Sequence, residues 1–183
     1  LFSYRHFRLG ALSQFFYIAS QVGAGAFFIN YSVDHWPELS DSQAAFFFSI
    51  ALVAFMVGRV VTTPLLKKFR PGCVLGIYSL INVCIMILLN IVTGSASVFI
   101  LIASFFFMSI SFPTIFALAI TDIPDALVKT ASSVLIMTIV GGAIMPYFMG
   151  LIADHHNIAY SFLLLIPCFL FVAWYGFFGS RPK

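Results

Sequence analysis

The chain has 183 residues, 62% of them hydrophobic and 8% charged, with a net charge of +3 and a mean hydropathy of +1.08. Soluble domains carry about 25% charged residues, so the bilayer, not water, must be the solvent for most of this surface. The apolar runs are continuous, which argues against a β-barrel with a polar residue at every second position, and a charge of +3 carries no nucleic-acid signal.

Spanning the hydrocarbon core takes about twenty apolar residues per helix. Six segments meet this: 9–33, 44–66, 73–92, 98–120, 131–153 and 158–178. The connections are short, so neighbouring helices run antiparallel. The expected fold is all-α, an integral membrane bundle of six helices. The chain opens at Leu1 with the basic segment Tyr4-Arg5-His6-Phe7-Arg8, which points to a piece of a longer protein.

The first span carries Gln14, Tyr17 and Gln21. At 100° per residue, Tyr17 and Gln21 lie within about 60° of Gln14. Amide and phenol groups facing lipid would waste hydrogen bonds, so this face points to a cavity or to a neighbouring helix. Gly23 and Gly25 follow and permit a bend near mid-membrane. The second span contains Arg59, about 12 Å inside the end marked by Lys67. It reads either as a cation bonded to a neighbouring helix or as part of a watery cavity. The third span and its edges hold Cys73 and Cys84, the last holds Cys168, and none has metal-ligand spacing; all three read as packing residues.

The fourth span places Ser104, Ser111 and Thr114 within about 80° of one another, with Phe107 among them and Pro113 interrupting the helix. The fifth has Gly142-x-x-x-Pro146-x-x-x-Gly150, a stripe expected to pack closely on another helix. His155-His156 in the following loop lacks further ligands and reads as a solvated pair.

Lys and Arg set the orientation. In the six-span arrangement Arg5, Arg8, Lys67, Lys68, Arg70, Lys129, Arg181 and Lys183 fall on one side and none on the other. Both termini are therefore expected in the cytoplasm, with the protein in the inner (plasma) membrane. Every carboxylate, Asp34, Glu38, Asp41, Asp122, Asp125 and Asp154, lies in a loop or at a span end. If the protein couples transport to protons, the titrating acid is expected outside this chain. No Gly-x-Ser, His-Glu-x-x-His or Asn-Pro-Ala motif is present. This argues against a rhomboid-type protease, a zinc protease and a water channel. Neither a cofactor nor a metal is expected.

The blocks Arg5-His6-Phe7-Arg8 with Gln14-Phe15-Phe16-Tyr17 and Gln21, Gly58-Arg59 leading to Lys68-Phe69, Phe107 through Phe116, and Met137 through Gly150 to Asp154 follow in order. Together they make the chain resemble the C-terminal six-helix half of the fucose permease family, within the major facilitator superfamily. The resemblance implies a twelve-helix carrier whose two bundles rock around a central sugar site. It implies proton symport of a small neutral sugar, with an N-terminal six-helix half as partner. The residues expected to bind the sugar are Gln14, Tyr17, Gln21, Arg59, Ser111 and Thr114. Two departures, Gly25-Ala26 after Gln21 and Ser111-Phe112 before the proline, leave the sugar open among fucose, glucose, galactose, mannose and N-acetylglucosamine. The alternative reading is a membrane fragment or scaffold that transports nothing.

Overall fold

A computed structural model describes residues 1–180, and among these the secondary structure is entirely helical. The expected terminal cations Arg181 and Lys183 lie outside the described residues. Ten α-helices follow in order: α1 (Arg5–Ala26), α2 (Phe28–His35), α3 (Asp41–Lys68), α4 (Pro71–Leu88), α5 (Ser95–Met108), α6 (Ser111–Ile120), α7 (Asp125–Met137), α8 (Gly141–His155), α9 (Ile158–Leu163) and α10 (Leu165–Trp174). A 3-10 turn, Thr138–Val140, joins α7 to α8, and a π-helical turn, Tyr175–Gly179, ends α10.

These pieces assemble into rods. Asp41–Lys68, Pro71–Leu88, Ser95–Ile120, Asp125–His155 and Ile158–Gly179 are each long and apolar enough to cross a membrane. The pair α1 and α2 meets the same test when taken together, bent by 48° at Phe27. The bend falls just beyond Gly23 and Gly25, where the sequence allowed one. This is a multi-pass membrane protein.

Local chemistry explains the rod ends. Ser40 caps α3 through a capping box, its Oγ accepting from the Gln43 N–H while the Gln43 side chain accepts from the Ser40 N–H. Pro71 sits in the first turn of α4, where its missing N–H costs nothing. Gly94 supplies the positive φ of 76° that turns the chain into α5, and its N–H donates to the His35 carbonyl.

α1 is the central rod, packed on α6, α8 and α10, while α4 packs on α10 and α5, and α3 leans on α5. The main core joins Tyr17, Phe28, Tyr31, Leu75, Met86, Leu101, Phe105, Met108, Phe162 and Phe169. A smaller cluster of Phe7, Ala119, Ile123, Ala131 and Leu135 closes the basic end. There the His6 Nε2–H donates to the Thr121 carbonyl at 2.8 Å, and Thr121 and Arg70 line one cavity. At the opposite end the Tyr31 hydroxyl donates to the Leu89 carbonyl at 2.7 Å.

Burial is uneven. Only 17% of the apolar window of α3 and 22% of that of α7–α8 is buried, against 44–56% for α4, α5–α6 and α9–α10. Two rods therefore lack the cover the others have.

At the α4/α10 seam main chain packs directly on main chain. A Cβ on Gly176 would stand 2.6 Å from the Gly72 carbonyl oxygen and 2.9 Å from the Gly76 nitrogen, and one on Gly72 would stand 2.4 Å from the Gly176 oxygen. Gly72-x-x-x-Gly76 thus lets the main chains touch, as small residues do in lipid. The fifth-span stripe is only partly of this kind. A Cβ on Gly142 would stand 2.8 Å from Val22 and one on Gly141 2.6 Å from the Phe15 carbonyl oxygen, but one on Gly150 would find only Phe27 at 3.9 Å. The close contact is Gly141-Gly142 against α1, and it does not continue down the stripe.

Candidate functional site

Pro113 organises the site. It has no N–H, so the carbonyl four residues earlier, that of Ser109, receives no helical bond, and the ring crowds it. The helix stops at Met108 and resumes at Ser111, with Ser109 and Ile110 between. Two carbonyls at this break are taken by side chains from other rods. The Tyr17 hydroxyl of α1 donates to the Met108 carbonyl at 2.8 Å, and the Arg59 Nε–H of α3 donates to the Ser109 carbonyl at 3.0 Å. Arg59 can approach because Gly58 has no side chain; a Cβ there would stand 2.6 Å from the Phe106 oxygen. The guanidinium also lies over the Phe55 ring, 4.8 Å from its centroid. Three rods are thus pinned to one break.

The six residues singled out from sequence do not form one open patch. Gln14 and Tyr17 are 0% exposed, Ser111 2% and Thr114 3%, whereas Gln21 is half-buried and Arg59 exposed. Tyr17 points to a neighbouring helix, with its hydroxyl engaged. Gln14 lies between two contacts of α1 with α5–α6, the Gly10–Ala119 approach and the Tyr17–Met108 bond, and neither of its amide atoms has a protein partner. Thr114 Oγ1, between Met108 and Ala119 on the facing rod, and Ser109 Oγ are likewise buried without a protein partner. Ser104, read on one face with Ser111 and Thr114, belongs elsewhere. Its hydroxyl donates to Asn82 Oδ1 at 2.7 Å, toward α4, and the break at Ser109 separates it from α6. Of the two readings of Arg59, the structure supports a helix-bonded cation whose side chain stays accessible.

Sequence reasoning missed the acceptors themselves, because main-chain carbonyls carry no letter. The available signal was Pro113, which frees the oxygen at position 109 by simple counting. The Asn82–Ser104 pair was missed because Asn82 stands alone in an apolar run.

A rod set of this kind, six apolar spans with a break in the fourth and a polar first span, is the architecture of half a major facilitator carrier. The chain superimposes on the carboxy-terminal half of a major facilitator superfamily transporter solved in the outward conformation, with a TM-score of 0.92 and 32% identity. The match covers 97% of this chain and 43% of that one. A structure of the fucose:proton symporter of Escherichia coli matches equally well. In sequence the chain is 32% identical over 179 residues to a glucose/galactose transporter of Brucella abortus, covering 97% of this chain and 43% of the relative. It is 33% identical over 178 residues to the L-fucose-proton symporter of Escherichia coli, with coverage of 97% and 40%. The corresponding protein of Haemophilus influenzae is 28% identical, with coverage of 93% and 41%. No family model matches the chain. The chain spans less than half the length of these relatives. In sequence and in fold it is similar to the C-terminal half of a major facilitator superfamily transporter.

Proposed function

We propose that this chain forms the C-terminal wall of a proton-coupled carrier for a small neutral sugar. The observation that carries this reading is the break at Ser109-Ile110, where Arg59 and Tyr17 hold two main-chain carbonyls beside accessible polar groups. Gln21 and Arg59, the accessible members of the six, contact sugar hydroxyls directly. Tyr17 holds the wall in shape. Gln14, Ser111 and Thr114 supply polarity behind it, and the unpaired groups of Gln14 and Thr114 open to water or solute when the bundles rock. The relatives' names, L-fucose-proton symporter and glucose/galactose transporter, support the substrate class. An N-terminal six-helix half would cover the bare flanks of α3 and α7–α8 and supply the titrating acid, since every carboxylate here lies near a rod end or in a turn. The span boundaries, the inner membrane and cytoplasmic termini belong to the same proposal, supported by the collection of Lys and Arg at one end.

Sugar binding to the full-length protein that carries this chain tests the reading. Gln21→Ala and Arg59→Gln are expected to weaken binding of labelled fucose or galactose about tenfold each, the cost of one hydrogen bond to a charged or well-placed partner, at near-normal protein yield. Unchanged affinity in both variants would remove these residues from the site. Orientation is checked separately. An impermeant thiol reagent is expected to reach a cysteine at position 38 only from outside and one at 68 only from the cytoplasm.

A further inference from the structure

At the basic end α3 stops at Lys68 and α4 begins at Pro71, so the connection is only Phe69 and Arg70. Lys67, Lys68 and Arg70 are all exposed there, and so is Phe69, at 54%. Phe69 forms one wall of a groove of about 240 Å³ between the end of α3 and the first turns of α4. Leu65, Cys73, Val74, Ile77 and Tyr78 line the rest. The Tyr78 hydroxyl is paired with Thr62 at 3.0 Å, so its bonding capacity is directed to α3 and not to the groove. From Cys73 to Ile77 the groove follows roughly 6 Å of α4.

The groove is tied to the cations at its mouth. Lys68 Nζ stands 5.8 Å from the centroid of the Phe69 ring. Arg70 lines a second cavity of about 200 Å³, which shares Cys73 with the groove and includes Thr121 and Ser180. Among the described residues neither lining contains a carboxylate. An apolar slot beside cations that have no ion-pair partner among the described residues fits a molecule with one apolar tail and a negative head.

We propose that this is a binding site for an anionic glycerophospholipid, with its phosphate and acidic headgroup held by Lys68 and Arg70 and one acyl chain in the groove. A zwitterionic lipid offers the same chain and phosphate but adds an ammonium, which the cations repel. Each surface cation improves binding of an acidic lipid about fivefold. Selection therefore comes from the head, while the groove holds the chain in register. The proposal rests on the orientation given above only for which leaflet supplies the lipid. It is independent of sugar binding.

The test uses the full-length protein purified in mild detergent and exposed to equal amounts of phosphatidylglycerol and phosphatidylcholine with matched chains. Retained lipid is read by native mass spectrometry. Phosphatidylglycerol is expected to be retained several-fold over phosphatidylcholine. K68Q and R70Q are each expected to lower that preference about fivefold, K68R to keep it, and R5Q/R8Q, whose side chains line neither cavity, to leave it unchanged. Ile77→Trp, which fills the groove, is expected to reduce retention of both lipids. Equal retention of the two lipids by the unaltered protein would overturn the proposal. So would a loss in R5Q/R8Q as large as in R70Q, since attraction would then be a property of the whole basic end. Single exposed substitutions leave the core untouched, and monodisperse elution of each variant verifies this.

Discussion

The α4/α10 seam and the α5/α6 break are held together by opposite means. At the seam, Gly72 and Gly176 let two main chains meet directly, and Gly76 makes room for the Phe177 ring beside them. At the break, Arg59 reaches across from another rod to the Ser109 carbonyl that Pro113 has released, and Tyr17 to the neighbouring Met108 carbonyl. Close main-chain packing gains many small dispersion contacts, tolerates no added atom and offers nothing to a solute. A carbonyl bridged by a side chain can be exchanged, because the donor has other partners to turn to. The comparison teaches that rigidity and polarity are kept in separate places in this bundle. The seam is a hinge-free spine, and the break is the wall that can change.

The largest expected effect comes from the seam. Gly176→Leu places a branched side chain against the Gly72 and Gly76 main chain, where no rotamer escapes. A loss of roughly 3 kcal/mol or more is expected, read as a collapse of folded yield and of thermal stability in detergent. Near-normal stability would show that the spine can slide. A smaller effect is expected at the break. Tyr17→Phe removes the donor to the buried Met108 carbonyl, and roughly 1–2 kcal/mol should be lost. The variant should stay folded, with faster hydrogen exchange confined to the residues around Ser109. The smallest effect lies between the two regions. A double-mutant cycle on Ser104→Ala and Asn82→Ala should give a coupling of about 0.6 kcal/mol, typical of interhelical bonds in membranes, measured as unfolding in mixed detergents. A coupling above about 2 kcal/mol would make that pair a pin comparable to Tyr17.

Much of this was legible in the sequence. Six apolar runs anticipated the five rods long and apolar enough to cross a membrane and the bent α1–α2 pair, and the one-sided Lys and Arg gave an expected orientation. The bend after Gly23 and Gly25 and the interruption at Pro113 were also readable, because both follow from what glycine and proline do to a helix. The 3-10 turn at Thr138–Val140 was not, since nothing in Thr-Ile-Val differs in kind from its neighbours. The seam was invisible for a different reason. Gly72-x-x-x-Gly76 means little until one knows that Gly176, a hundred residues later, lies opposite. In the site, residue types were readable but their partners were not. Tyr17 and Gln14 share a helical face, yet one is bonded and the other has no protein partner, and only the neighbouring rod decides which.

The Ser109 carbonyl has a consequence for how this wall changes over generations. It is a hydrogen-bond acceptor built of main chain, so no substitution at position 109 deletes it. Its presence is inherited through Pro113, four residues away, and its occupation through Arg59 on another rod. Drift at Ser109 or Ile110 can alter the shape of the wall while the acceptor persists. Loss of the proline would return it to a helical bond without touching Arg59, the side chain that donates to it.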